Sequence, residues 1–191
     1  MTGLRSFVAL GALAILPAVA HGQWRSPRRY SYHYHSQSAL SREATLAVGV
    51  LDYDFAPDVT FPMAALRFDW RLTRFLRSEL SFSYALAQVE RATGQGNLNV
   101  SLGAATVGLR AELPTPFVHP YVGAAMGLFG RTDNGGGERV VRPTHAFPVG
   151  LRIPLSDRVA VSGEARWRFD QHRNGATAVD VEKTAGLSFG F

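Results

Sequence analysis

The chain is 191 residues long, 46% hydrophobic, without cysteine, and carries 20 basic against 15 acidic side chains. Lack of cysteine excludes a disulfide framework and thiol chemistry. The small positive excess is spread along the whole sequence and not gathered in one stripe, which argues against nucleic acid as a partner.

The first 22 residues have the pattern of a secretory signal peptide. Arg5 precedes the apolar run from Phe7 to Leu16, and small residues follow. Ala18-Val-Ala20 offers a cut after Ala20 and Ala20-His-Gly22 one after Gly22; both remain open. A spanning helix needs roughly 20 apolar residues, and Pro17 interrupts the run before that. Removal of this segment leaves 19 basic and 15 acidic residues in about 170 residues, enough for one domain. Residues 23–43, including the stretch WRSPRRYSYHYHSQSALSRE, are expected to be a flexible basic, Tyr- and His-rich segment, and 44–191 the folded domain.

Eight runs with a period of two follow, each bounded by turn-like residues. Residues 44–55 form the first and least regular. Residues 62–72 place Ala64, Leu66, Phe68 and Trp70 opposite Arg67 and Asp69, and 78–89 place Leu80, Phe82, Tyr84 and Leu86 opposite Glu79, Ser81, Ser83 and Ala85. In 98–113, Val107, Leu109 and Ala111 oppose Thr106, Arg110 and Glu112, but Leu98, Val100 and Leu102 fall in the other phase. A bulge near Gly103 would reconcile the halves. Residues 118–130 set Val122, Ala124, Met126 and Leu128 against Tyr121, Gly123, Ala125 and Gly127, and 142–153 align Phe147, Val149, Leu151 and Ile153. Residues 158–170 oppose Val159, Val161, Ala165, Trp167 and Phe169 to Ser162, Glu164, Arg166, Arg168 and Asp170. The last run, 179–191, puts Leu187, Phe189 and Phe191 on one face and Asp180, Glu182, Thr184 and Ser188 on the other.

The connections at 73–77, 114–117 and 154–157 are short, whereas those at 56–61, 90–97, 131–141 and 171–178 are mostly longer and polar. That alternation suits an all-β, eight-stranded antiparallel up-and-down transmembrane β-barrel, with short turns facing the periplasm. A soluble lipocalin-like barrel also has eight strands. It would have to hold Phe82, Tyr84, Trp167, Phe169, Phe189 and Phe191 in one narrow interior and leave Gly123, Ala125, Gly127, Gly186 and Gly190 outside. Placing the large apolar face toward lipid removes that conflict.

The terminal Leu187-Ser-Phe-Gly-Phe191, Pro120-Tyr-Val-Gly-Ala-Ala-Met-Gly127 and Gly163-Glu-Ala-Arg166 resemble small eight-stranded outer-membrane barrel proteins of the OmpA and OmpX kind, over about residues 44–191. The resemblance implies outer-membrane localisation, with membrane lipid as one partner. It also implies that Leu187, Phe189 and Phe191 form a signal to the barrel-assembly machinery. OmpA has a further wall-binding domain after its barrel; none is expected here after the last strand, so wall anchoring is not implied.

The inward face is expected to hold Arg67, Asp69, Glu79, Arg110, Glu112, Arg152, Glu164, Arg166, Arg168, Asp170, Asp180 and Glu182, five basic against seven acidic groups. Isolated charges there would each cost several kcal/mol, so pairing is required. Neighbouring strands suggest Glu164 or Asp170 for Arg152, and Arg166 or Arg168 for Asp180 or Glu182. Such a network plugs the lumen and fixes register; the alternative is a narrow ion or small-solute path.

No cofactor, metal site or catalytic residue is expected. His33-Tyr-His35 lacks a third ligand, and Asp133-Asn134 with Glu138 fits no EF-hand. His145 and His172 lack a Ser partner of the kind a lipid-modifying hydrolase would need. Trp70, Tyr121 and Trp167 are expected in an interfacial girdle, and Arg28-Arg29 in a solvated linker. The ligand of the longer loops is not legible. The expected role is structural or surface-interactive, the remaining alternatives being a lipid-modifying hydrolase and a soluble periplasmic lipid binder.

Overall fold

The structure is a computed structural model. It describes residues 42–54, 60–90, 97–133, 139–171 and 177–191, all within the compact unit 37–191. The expected signal peptide, His33, His35, Asn134, Glu138 and His172 lie outside the described residues.

Eight strands form in chain order: β1 (Arg42–Asp52), β2 (Thr60–Arg71), β3 (Leu76–Glu90), β4 (Asn97–Glu112), β5 (His119–Asp133), β6 (Val140–Pro154), β7 (Val159–Gln171) and β8 (Thr177–Gly190). Each pairs antiparallel with the next, and β8 closes on β1, so the sheet has no free edge. Closure runs from Asp52↔Val181 to Glu43↔Gly190. The Phe191 amide then donates to the Arg42 carbonyl at 2.9 Å and the Arg42 amide to the Phe191 carbonyl at 3.3 Å. The fold is an all-β, eight-stranded antiparallel up-and-down β-barrel.

Side chains alternate across the wall as the sequence pattern requires. Leu46, Leu66, Phe82, Leu109, Met126 and Leu151 are exposed outside, while Arg67, Asp69, Glu79, Arg166 and Asp180 are buried inside. Two inward glycines show how tightly the wall curls. A Cβ on Gly127 would meet the Ala105 carbonyl oxygen at 1.9 Å, and one on Gly49 would meet that of Lys183 at 1.9 Å. Neighbouring backbone occupies the space a side chain would need.

The short turns are pinned by hydroxyls at their first positions, which substitute for backbone acceptors. Thr73 Oγ1 accepts from the amides of Phe75 and Leu76, at 3.2 and 3.1 Å. Ser156 Oγ accepts from those of Arg158 and Val159, at 3.3 and 3.1 Å.

Three expectations are corrected. First, β4 has no bulge at Gly103: its pairing to β3 runs unbroken from Leu76↔Ala111 to Glu90↔Asn97. The phase changes because the interior itself turns apolar there, with Val100 and Leu102 pointing inward and buried. Second, β1 begins two residues early and ends at Asp52, which brings Glu43 into the barrel. Third, the connections after β3, β5 and β7 are shortened because the ladder continues into them; Gly130↔Val141 and Arg131↔Val140 are paired. β3 to β6 therefore have 15 or 16 residues against 11 and 12 in β1 and β2. Since a tilted strand crosses a bilayer in about 9–11 residues, the β3–β6 wall is longer than a crossing requires.

Candidate functional site: the barrel interior

The interior has three zones. At the short-turn end, Glu43 on β1 accepts from Arg77 Nη1 at 3.2 Å and from Arg152 Nε and Nη2 at 3.1 and 2.8 Å. Arg77 Nε lies 2.8 Å from Glu112 Oε2, whose other oxygen is 2.7 Å from His119 Nδ1. Arg152 thus reaches across the lumen to β1. It does not use Glu164 or Asp170 on the adjacent β7, because Glu43, expected in the segment before the barrel, enters the lumen on β1 and offers Arg152 both carboxylate oxygens.

In the middle, Arg110 lies 3.0 Å from Asp69 and 3.3 Å from Glu79 and stacks on the Tyr121 ring, 4.4 Å from its centroid. Arg166 bridges Glu79 at 2.6 Å and Glu164 at 3.0 Å. Glu164 also takes Arg67 at 3.0 Å and the Tyr121 hydroxyl at 2.9 Å. Tyr121 therefore belongs to the interior network and not to an outer girdle: it is buried in the lumen, and its hydroxyl serves a carboxylate that already binds two arginines.

At the loop end the zone divides. On the β7–β8 side Arg168 pairs with Glu182, as expected for those strands, and Ser83 Oγ joins both, at 3.1 Å from each. Asp180 accepts the Asp54 amide at 3.0 Å, and neither Arg166 nor Arg168 has a hydrogen bond or ion pair to it among those identified for the described residues. On the β1–β5 side Leu51, Phe61, Met63, Val100, Leu102 and Phe129 form a buried apolar cluster with Tyr53. Arg168 links the two sides by lying over the Phe129 ring, 5.2 Å from its centroid. Burial pushes the Tyr53 phenol, just past the end of β1, above its usual range, and Arg131 opposes that shift.

The twelve expected interior charges all sit on inward strand positions, and all but the half-buried Arg152 are fully buried. Arg71, Arg77, Arg131 and Arg142 share that face, as does Glu43, so nine arginines meet eight carboxylates among the residues whose side chains are described. The expected acidic excess disappears. Glu43 and Arg77 lay one inward step outside the expected ends of β1 and β3; extending the period by two residues from Thr45 and Glu79 would have found both. Lys183 falls between the inward Glu182 and Thr184, so the alternation turns it outward, where its Nζ lies 2.7 Å from Asp52. Leu187, Phe189 and Phe191 are exposed on the outer face, and so is His145. No group of three or more acidic, His or Cys side chains suited to a metal occurs among the described residues.

This combination, a closed antiparallel ladder with charges inside and bare leucine and phenylalanine outside, decides the fold type. It is the fold of a small outer-membrane β-barrel. Neisserial surface protein A is similar at a TM-score of 0.64 and 14% identity, over 81% of this chain and 98% of that one. The N-terminal barrel domain of Pseudomonas aeruginosa OprF matches at 0.51 and 15%, over 78% and 97%. Ail, the attachment invasion locus protein of Yersinia pestis, matches at 0.50 and 14%, over 80% and 97%. At such identities the likeness is one of fold. No protein-family model matches the chain, and no curated protein does.

Proposed function

We propose that this chain is an outer-membrane barrel whose lumen is closed, with a structural or surface-interaction role exercised through the loops between β1 and β2, β3 and β4, β5 and β6, and β7 and β8. The observation that carries this reading is the interior itself. Arg67, Arg110 and Arg166 fill the middle of the lumen and are held by Asp69, Glu79 and Glu164, while apolar side chains occupy part of the loop end. Eight strands leave an interior just wide enough for side chains, so such a plug leaves little room for solute. No catalytic role is assigned, and lipid is the partner of the outer face. In this reading Leu187, Phe189 and Phe191 present β8 to the barrel-assembly machinery.

A narrow ionic path is the second reading, favoured by one observation. Arg67 Nε, Asp69 Oδ2, Arg110 Nε, Arg168 Nε and Asp180 Oδ2 are buried without a hydrogen-bond partner, and such atoms are commonly served by water. Fractionation, gel mobility with and without boiling, and planar-bilayer conductance test both. Outer-membrane recovery with a heat-dependent shift and no conductance is expected. Discrete conductance steps would favour the path, and recovery in the soluble periplasmic fraction would refute the membrane reading.

A further inference from the structure

All three short turns expose large apolar side chains. Leu72 and Phe75 flank the first, Leu113 and Phe117 the second, and Leu155 lies on the third; Phe191 adds another at the end of β8. Phe117 is 78% exposed and Phe191 72%. Turns that meet water are usually built from polar residues, so this arrangement needs an apolar neighbour.

The same end carries exposed arginines. Arg74 lies over the Phe75 ring, 5.3 Å from its centroid. Arg158 and Arg42 bracket the β8 end, where the Arg158 carbonyl accepts from the Gly190 amide at 2.7 Å and Arg42 exchanges backbone bonds with Phe191. Arg42 also stands opposite the outward Trp70. Asp157 is the exposed acidic side chain at this end among the described residues.

We propose that the short-turn rim is a binding surface for anionic phospholipid headgroups, with the turn leucines and phenylalanines immersed below the phosphates and Arg42, Arg74 and Arg158 engaging them. This rests on the membrane reading above and extends it from the strand wall to the turns. The geometry selects lipid over a protein partner. The apolar side chains are distributed over every short turn and the β8 end, so the occupant must surround the rim, and they continue the outward band of the strands. Paired apolar and basic groups are what an interfacial segment presents to anionic lipid, where each arginine adds attraction to the surface.

The chain has no cysteine, so single-cysteine labels test this cleanly. Phe117→Cys, Met126→Cys and Arg139→Cys, the last an exposed position just before β6 at the loop end, each carry an environment-sensitive fluorophore and are compared in phosphatidylcholine vesicles with and without phosphatidylglycerol. The expected result is emission at 117 close to that at 126, on the outer strand face, and well to the blue of that at 139. Water-like emission at 117 with lipid-like emission at 126 overturns the proposal and leaves the membrane reading standing. Water-like emission at both overturns the two together. Quenching of the 117 label by brominated phosphatidylglycerol should exceed quenching by brominated phosphatidylcholine by about threefold, and the preference should vanish in Arg42→Gln/Arg74→Gln/Arg158→Gln. Equal quenching by both lipids in the parent protein overturns the phosphate contact.

Discussion

The charged middle of the lumen and its apolar loop end fill the same barrel by opposite means. In the middle, each carboxylate has assigned cations: Glu164 takes Arg67, Arg166 and the Tyr121 hydroxyl, and Glu79 takes Arg110 and Arg166. At the loop end Leu51, Phe61, Met63, Leu102 and Phe129 fill space without directional bonds. The difference bears on register. A one-residue slip exchanges the two faces of a strand, and in the β1 loop end a slip in one direction would trade Ala47 and Leu51 for Leu46 and Val50, which are also apolar. The same slip in β2 or β7 would send Arg67, Asp69, Arg166 and Arg168 into lipid. We infer that the charges specify the pairing and the apolar cluster only seals it, the registry role best attested for buried ion pairs.

The largest effect should come from breaking the charged zone. Arg166→Met removes a guanidinium that is 1% exposed and bridges Glu79 and Glu164, leaving both carboxylates short of a cation. The expected loss is about 3–5 kcal/mol, read from urea unfolding of the protein refolded in lipid vesicles. A loss below about 1 kcal/mol would mean that the network does not set the barrel's stability, and the contrast between the zones would fail.

The wall supplies the next test. Leu66 faces outward between Leu46 and Phe82, so Leu66→Arg should cost about 2–4 kcal/mol if that position lies at the bilayer midplane, falling to about 0–1 near an interface. Ala165→Arg is the internal control. Ala165 stands opposite Lys183, whose ammonium meets Asp52 on the same outer face, so the wall already carries charge at that height. Its cost should be the smaller of the two in the same vesicles. The reverse order would place the lipid midplane nearer Lys183.

The strands were legible because period-two alternation records the two faces directly, and all eight runs appear within three residues of their expected ends. The charged residues of the interior were legible for the same reason. What escaped depended on neighbours that are distant in sequence. Glu43 finds Arg77 and Arg152, 34 and 109 residues away, and a period read within one strand says nothing about a partner across a lumen. The phase change at Val100 and Leu102 resembled a bulge because alternation reports polarity, whereas those side chains point inward to an apolar zone built by β1, β2 and β5. Tyr121 differs: its phase with Gly123, Ala125 and Gly127 already turned it inward, against the girdle expectation, and Glu164 is the partner it meets there.

The apolar zone yields a smaller effect of a different kind. Leu102 is 1% exposed and borders, with Leu51 and Met63, a cavity of about 10 Å³. Packing there is already slightly open, so Leu102→Ala should fall at the low end of buried leucine truncations, about 2–3 kcal/mol. Because no charge loses its partner, heat-modifiable mobility and vesicle insertion should be unchanged. A variant that no longer inserts would show that the apolar cluster, too, is needed to select the barrel's pairing.

The smallest effect belongs to Lys183 and Asp52. Their side chains are 59% and 39% exposed and meet at 2.7 Å on the outer face. Exposed pairs of this kind contribute about 0–1 kcal/mol, so Lys183→Ala should leave the urea midpoint nearly unchanged while Arg166→Met moves it far. The two variants test one idea from opposite sides, since both remove a cation from an ion pair in the same barrel and differ in what surrounds the carboxylate left behind. Asp52 remains at the loop-end rim with partial access to water and accepts a hydrogen bond from Thr60 Oγ1 at 3.1 Å; Glu79 and Glu164 are buried away from water. Similar losses for the two variants would place Asp52 in hydrocarbon, and the lipid boundary would then have to be drawn beyond the end of β1.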